Sequence, residues 1–212
     1  MRATLKLFFL ISYLLGQGFP TPKIEYDPRS YICYQTESPL LIDGKLNDSS
    51  WGNAAWTDSF VDIEGNLKPH PYFDTKVKML WDETYFYFGA QMEEPHIWAT
   101  LTERDAVIFY DNDFEIFLDP DGDTHHYYEL EVNAYETEWD LLLLKPYRDQ
   151  GKVAVDSWDI PGLITKVHVD GSINDPKDRD KGWSVEIVIP WKALEECAPN
   201  FHPPEGEQWK GN

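Results

Sequence analysis

Residues 111–133 read DNDFEIFLDPDGDTHHYYELEVN, and this stretch determines the expected fold. Apolar side chains occupy every second position in each half, first Phe114, Ile116 and Leu118, then Tyr128, Leu130 and Val132. A period of two is typical of half-buried β-strands, in which successive side chains point to opposite faces. Residues 119–123 (DPDGD) have the composition of a turn. The stretch therefore predicts two antiparallel strands joined by a hairpin.

The same period continues outward from this hairpin in both directions. It is clearest in residues 76–81, 85–92, 139–144, 163–169 and 183–189. Weaker patterns predict strands over residues 39–43 and 57–63. Asp48 is predicted to cap a short helix that packs Trp51 and Trp56 inward. Short strands separated by turns, with almost no helical periodicity, predict an all-β chain folded as a single antiparallel β-sandwich domain.

The first 18 residues have the layout of a secretory signal peptide. Arg2 and Lys6 form a basic start, an apolar run covers residues 7–15, and Gly16 and Gly18 are small residues near its end. A membrane-spanning helix needs about 20 apolar residues, so no membrane span is predicted. A buried N-terminal helix is the alternative. The prediction divides the chain into a signal peptide (1–18), an extended lead-in (19–38) and the sandwich (39–212), and makes the protein secreted or periplasmic.

Charge and composition narrow the classes of partner. The formal net charge is −20, which repels phosphate backbones and argues against nucleic acid as a partner. The 9 Trp, 12 Tyr and 11 Phe argue against disorder. Cys33 and Cys197 are the two cysteines. In an oxidising compartment they either pair or remain free thiols, and the sequence leaves both alternatives open.

One face of the predicted hairpin is rich in hydrogen-bond acceptors. The alternation places Asp113, Glu115, Tyr127, Glu129, Glu131 and Asn133 on the face opposite the apolar residues. Such acceptors suit sugar hydroxyls or a cation, whereas the alternative is an ordinary solvated outer face. Paired carboxylates also serve glycosidases, as acid and as base or nucleophile. Glu115 and Glu131 are the candidates for that role.

Two further sites follow from local patterns. Asp119, Asp121 and Asp123 alternate around a glycine and could supply several of the oxygens that calcium requires, although a plain hairpin turn explains the same residues. Related sandwich folds hold haem through Met and His, for which Met79, Met92 and His96 are the candidates. No cofactor is predicted to be required, and calcium is the one suggested.

Several motifs together resemble the family 9 carbohydrate-binding modules, and more closely the family 9-like proteins of bacterial polysaccharide-degrading systems. They are residues 42–46 (IDGKL) followed by Trp51, 77–82 (VKMLWD), 85–87 (YFY), 111–120 (DNDFEIFLDP), 128–133 (YELEVN) and 182–191 (GWSVEIVIPW). The resemblance extends from about residue 38 to residue 209. It implies a jelly-roll-like β-sandwich that is exported and binds a polysaccharide or oligosaccharide in carbohydrate catabolism. A glycoside hydrolase, or an accessory domain of one, is the alternative.

The resemblance also indicates where a sugar would bind. Sugar-binding members hold a sugar between two tryptophans, and Phe109 and Tyr110 stand at the first of these places. The second place lies beyond residues 208–210, so the chain is expected to lack the last strands of the family. The predicted carbohydrate site consists of Phe109, Tyr110, Glu115, Glu129, Glu131 and Asn133.

Overall fold

The computed structural model describes residues 28–198, 200 and 203–212. The predicted signal peptide and residues 19–27 of the lead-in lie outside this range. Two compact units are present, of which the larger comprises residues 31–61 and 71–212. Within the described residues, the smaller unit comprises residues 28–30 and 62–70. It contains a 3-10 turn at Gly65–Leu67 and an ion pair between Lys68 and Glu64 at 2.8 Å.

The regular secondary structure of the larger unit is mostly β-strand. Its described strands are β1 (Tyr34–Gln35), β2 (Thr75–Trp81), β3 (Tyr85–Glu93), β4 (Asp113–Asp119), β5 (Tyr127–Asn133), β6 (Glu138–Leu143), β7 (Ala154–Val155), β8 (Ile164–Asp170), β9 (Gly182–Pro190) and β10 (Lys210–Gly211). One short helix, α1 (Ser49–Asn53), begins directly after Asp48, as predicted, but the Asp48 side chain makes no capping hydrogen bond to the helix. Its carboxylate instead accepts the Leu41 N–H at 3.1 Å. Two 3-10 turns cover Ile108–Tyr110 and Trp191–Leu194.

The strands form two five-stranded sheets. The first sheet has the order β1-β2-β3-β9-β8 and the second has the order β10-β4-β5-β6-β7. All neighbours are antiparallel except β1 and β2, which form a two-residue parallel pair. The predicted antiparallel β-sandwich is therefore confirmed, with this one short parallel pair as an addition.

The core lies between the inner faces of the two sheets. The alternating apolar residues of β3, β4, β5 and β9 meet there, as the period of two predicts. Phe86 stacks on Trp191 with ring centroids 5.1 Å apart, and Trp209 meets both rings edge to face. The structure leaves Cys33 and Cys197 as free thiols packed against this core.

A smaller apolar cluster lies on the outer face of the first sheet, where α1 packs. Trp51 is fully buried there and lies against Gly89 of β3, because a side chain at Gly89 would come within 3.2 Å of the Trp51 ring. Trp56 was also predicted to pack inward, but this prediction is wrong. Trp56 is 37% exposed, with the Lys78 ammonium 4.6 Å from its ring centroid.

Two of the strand predictions, for residues 39–43 and 57–63, are wrong. Residues 39–43 form no strand, because the N–H groups of Asp43 and Gly44 each donate to Glu186 Oε2 at 2.7 Å. Residues 57–63 form no strand either. The N–H groups of Thr57 and Phe60 make only isolated bonds to β2 carbonyls, at 2.8 and 2.9 Å.

Glu186 is a fully buried carboxylate that ties this segment to the first sheet. Besides the two N–H groups, the Trp51 indole Nε1 donates to its Oε1 at 2.7 Å. Gly44 is required at this contact, because its φ is +83° and an added Cβ would lie 2.6 Å from the His168 backbone nitrogen.

We predict that Glu186→Ala destabilises the fold strongly, because it leaves three N–H donors without their acceptor. A buried donor without a partner costs about 1–3 kcal/mol, and ~1 kcal/mol shifts the Tm of a domain of this size by about 2–4 °C. We therefore expect Tm to fall by at least about 6 °C in calorimetry. The Tm of Glu186→Gln, which keeps one acceptor oxygen, should lie between those of wild type and Glu186→Ala. The exposed-acid control Glu37→Ala should leave Tm unchanged, and an unchanged Tm for Glu186→Ala would contradict the prediction.

Candidate functional site

The pairing of β4 with β5 builds the predicted polar face. The register places Asp113 opposite Asn133, Glu115 opposite Glu131, and Phe117 opposite Glu129. Because side chains alternate, these residues share the outer face of the second sheet, while the residues between them enter the core. The predicted grouping of acids on one face is confirmed.

We call Asp113, Glu115, Glu129 and Glu131 the acidic cluster. Glu129 and Glu131 are only 2% and 1% exposed, Asp113 is half-buried and Glu115 is exposed. Carboxylate oxygens of Glu115, Glu129 and Glu131 all lie within 4.8 Å of one another. The cluster is therefore a compact group of carboxyl groups, of which Glu115 is the member most open to solvent.

Two groups from outside the hairpin donate hydrogen bonds to the buried acids. The Tyr147 hydroxyl donates to Glu129 Oε2, and the Phe109 N–H donates to Glu131 Oε2 at 2.9 Å. The second bond joins the backbone of the predicted aromatic residues directly to the acidic cluster.

Burial is the main cause of raised pKa values in the cluster. Desolvation, with a hydrogen bond to Glu115, raises the pKa of Glu129 to about 9. Desolvation, with the charges of Asp113 and Glu115, raises the pKa of Glu131 to about 7. The pKa of Asp113 rises to about 6, again chiefly through burial and then through the Glu115 charge. Near neutral pH the cluster therefore retains at least one proton.

Three aromatic side chains flank the cluster, and we call them the aromatic platform. Phe109 and Tyr110 are 55% and 77% exposed, and their ring centroids lie 4.9 Å apart at 64°. The Trp139 ring lies 5.9 Å from that of Phe109, and Trp139 stands opposite Glu131 in the β5–β6 register. Sequence reasoning placed Trp139 on a strand but not in the site. The alternation of Trp139 with Leu141 and Leu143 along β6 was the signal that could have revealed its face.

The loop that carries Phe109 and Tyr110 is closed at its ends by Asp111. The Asp111 carboxylate accepts hydrogen bonds from the N–H groups of Thr100 and Leu101 at 2.8 Å and from the Thr100 hydroxyl at 2.7 Å. It also accepts one from Asn133 Nδ2 at 3.0 Å. These hydrogen bonds outweigh burial and lower the pKa of Asp111, so the carboxylate stays charged.

Asn133 was predicted to contact sugar, and the structure places it beneath the loop. Its side chain is fully buried, its Nδ2 also donates to Leu101 O at 2.9 Å, and its Oδ1 accepts from the N–H groups of Tyr135 and Thr137 at 3.0 Å. All of these partners are within the protein. Asn133 therefore positions the loop.

Arg104 fastens the same loop to β6 and to the segment before β8. Its guanidinium donates to Glu138 and Asp140, and to Asp159 at 3.1 Å. The Arg104 guanidinium is therefore surrounded by three carboxylates, those of Asp105, Asp140 and Asp159.

The predicted calcium loop brings its three acids together. Carboxylate oxygens of Asp119, Asp121 and Asp123 lie within 4.8 Å of one another. The Asp119 oxygens accept the N–H groups of Gly122 and Thr124 at 2.9 Å, as a plain turn requires. Calcium binding at this loop stays a prediction.

The haem candidates are separated along the first sheet. Met92 is opposite Thr75, so Met79 stands four residues further along β2, about 13 Å away. One iron cannot reach both sulfurs. Met92 and His96 do line a common cleft of about 380 Å³ at the end of the sandwich, together with Phe73, Asn112 and Trp183.

Comparisons with known proteins agree with the motif resemblance. The profile of the family described as "Carbohydrate family 9 binding domain-like" matches residues 42–202. That is most of the chain, so the chain belongs to this family. No helix of the described residues is long and apolar enough to cross a membrane.

Two solved structures are similar to this chain. A family 9 module from Caldicellulosiruptor kristjanssonii in complex with cellotriose is 20% identical, with a TM-score of 0.53, over 84% of this chain and 73% of that chain. A Bacteroides uniformis ATCC 8492 protein, provisionally described as carbohydrate-binding, is 15% identical, with a TM-score of 0.59, over 84% and 79%. Both support the fold.

A third relative is a large enzyme. Endo-1,4-beta-xylanase C of Paenibacillus barcinonensis is 28% identical over 99 residues, which are 47% of this chain and 8% of the enzyme. The chain therefore spans only a small part of this curated relative.

We predict that stability falls as pH rises from about 5 to 9, because folded Glu131 and Glu129 have pKa values near 7 and 9 against about 4.3 in an unfolded chain. An acid whose pKa is raised by folding contributes its full stabilisation at pH values below its pKa in the unfolded chain. This contribution is lost as pH rises through the folded pKa. Glu129→Gln keeps an acceptor for Tyr147 and a donor for Glu115, so it imitates the protonated acid.

Glu129→Gln should therefore raise Tm at pH 8.5 by at least about 3 °C, the shift that ~1 kcal/mol produces in a domain of this size. It should change Tm little at pH 4.5. The exposed-acid control Glu37→Gln should follow the wild-type pH profile. Equal wild-type and Glu129→Gln melting profiles across this pH range would show that Glu129 is ionised without penalty.

Proposed function

We propose that the chain is a carbohydrate-binding module that binds a polysaccharide or oligosaccharide on the outer face of the second sheet. The observation that carries this proposal is the exposed aromatic platform directly beside the acceptor-rich acidic cluster. Aromatic faces stack on the apolar faces of sugar rings, and carboxylates accept hydrogen bonds from sugar hydroxyls.

The family supports the ligand class. The family's description concerns carbohydrate binding, and one structural neighbour is a complex with cellotriose. The similarity to a segment of a xylanase is compatible with a module that serves polysaccharide breakdown. Catalysis by Glu115 and Glu131 stays an untested alternative.

The roles of the site residues differ. Tyr110 and Phe109 supply the stacking surface, and Glu115 is the acid within reach of a ligand. Glu129 and Glu131 are too buried for broad contact with a sugar and instead set the electrostatics beneath it. Asn133 holds the loop that presents the platform.

We predict that Tyr110→Ala removes detectable sugar binding without unfolding the domain, because Tyr110 is 77% exposed and contributes little to the core. With a single-sided platform the affinity should be weak, on the order of millimolar, which corresponds to about 4 kcal/mol. Titration of cello- and xylo-oligosaccharides monitored by NMR would measure it. Tyr34→Ala, an exposed tyrosine on the first sheet, is the matched control. Loss of binding in Tyr34→Ala but not in Tyr110→Ala would move the site to the other sheet.

We also propose that the protein is exported, on the strength of the basic and apolar pattern of residues 1–18. In a secreting host the mature chain should begin close to Gln17 or Phe19. N-terminal sequencing of the recovered protein tests this, and an intact Met1 in soluble cytoplasmic protein would contradict it.

A further inference from the structure

We infer that the acidic cluster makes the site selective for the charge of its sugar, favouring sugars that carry a free ammonium group over neutral sugars and rejecting uronic acids. The inference rests on the proposed function, because it concerns the ligand class of the same site.

The cluster has more acceptors than donors. Each carboxylate offers about four lone-pair sites, and oxygens of Glu115, Glu129 and Glu131 lie within 4.8 Å of one another. The donors that the structure provides are the Tyr147 hydroxyl, the Phe109 N–H and the protons that Glu129 and, below about pH 7, Glu131 retain. Each of these protons can bridge only one pair of carboxylates. The remaining contact between acceptors is unfavourable until a cationic donor enters.

Among the described residues, none of the ion pairs includes Asp113, Glu115, Glu129 or Glu131. By contrast, the Arg104 guanidinium forms ion pairs with the neighbouring group of three acids.

The groups around the cluster confirm that its field is negative. Asp111, Asp113 and Glu115 act from β4 and its preceding loop, Tyr127, Glu129 and Glu131 from β5, and Tyr147 and Arg148 from the segment after β6. Burial and the charge of Glu129 raise the pKa of Tyr127 despite the opposing charge of Arg148.

A ligand ammonium would reach the cluster from the solvent side at Glu115. The Phe109 N–H donates to Glu131 of the same cluster, the rings of Phe109 and Tyr110 are exposed, and aromatic faces attract cations as well as sugar rings. The cluster now holds protons because burial and the neighbouring like charges disfavour its ionised form. Binding of an ammonium group would therefore lower the pKa values of Glu129 and Glu131 and release protons to the buffer.

Uronic acids meet the opposite situation. Their carboxylates would add a further like charge to a buried group that already repels itself, on a chain with a net charge of −20. A neutral hydroxyl can still donate to Glu115. The order of affinity should be amino sugar, then neutral sugar, then uronic acid.

The test is isothermal titration of the purified protein at pH 6.5 with four β-1,4-linked trisaccharides. They are the glucosamine trimer, its N-acetylated form, cellotriose and the glucuronic acid trimer. The amine trimer should bind about tenfold or more tightly than the N-acetylated trimer and cellotriose, and the uronic trimer should not bind measurably. Added salt should reduce the difference. Heats in buffers of different ionisation enthalpy should report proton release with the amine trimer only.

Glu115→Gln should bring the amine and neutral trimers to within about threefold of each other, whereas Glu37→Gln, with the same change of charge at an exposed site, should retain the tenfold preference. Equal affinity of wild type for amine and neutral trimers would overturn the charge selectivity and leave the proposed function standing. Failure of all four sugars to bind would overturn both.

A further titration in the presence of calcium tests whether the acidic cluster binds the ammonium group of the sugar or a metal ion. Wild type is treated with chelator and then titrated with the amine trimer with and without 1 mM CaCl₂ (about the range of weak extracellular calcium sites). A preference that persists in calcium supports the inference. A preference abolished by calcium in wild type would mean that the cluster takes the metal ion, and would overturn it.

Discussion

The register between β4 and β5 is the constraint on which both the core and the site depend. With Glu115 opposite Glu131, the residues between the acids face the interior and the acids face outward. A slip of one residue in either strand would turn the two cluster carboxylates of that strand into the core, at a cost of several kcal/mol for each charge. The hairpin at residues 119–123 fixes this register through the bonds of Asp119 to the turn backbone.

The same register brings the carboxylates of the acidic face close together, and their mutual repulsion destabilises the fold when they are ionised. Glu129 and Glu131 are covered by groups that arrive from elsewhere, including the Tyr147 hydroxyl and the backbone of Phe109. Covering them removes water from charges that repel one another, which is why their pKa values rise. Natural proteins tolerate such local conflicts mainly where the site has a task, and this is the physical reason to relate the face to binding.

The sequence predicted the sandwich because its strong signals were local. Alternation in residues 76–92, 113–133 and 183–189 follows directly from the geometry of a strand with one face in the core. The acidic face followed from the same alternation. The contacts that sequence could not supply join distant segments. Glu186 takes the N–H groups of Asp43 and Gly44 across the fold, so a weakly apolar run that resembled a strand is held as an irregular segment. Tertiary packing likewise determines two contacts of the site. They are the hydrogen bond of Asn133 to Asp111 and the contact of the Trp139 ring with Phe109.

The closure of the loop at Asp111 has a consequence for how such a module could diversify. Asp111 ties Thr100 and Leu101 to the start of β4, and Arg104 fixes the interior of the loop to β6. With its ends and one interior point held, the loop can exchange the identities of residues 109 and 110 without disturbing the sandwich beneath. Connecting loops on a rigid scaffold vary more readily than the strands that carry them. The sandwich and the Asp111 closure therefore resemble the framework of an antibody domain, in which the scaffold is inherited and the tips of the loops are free to evolve towards new ligands.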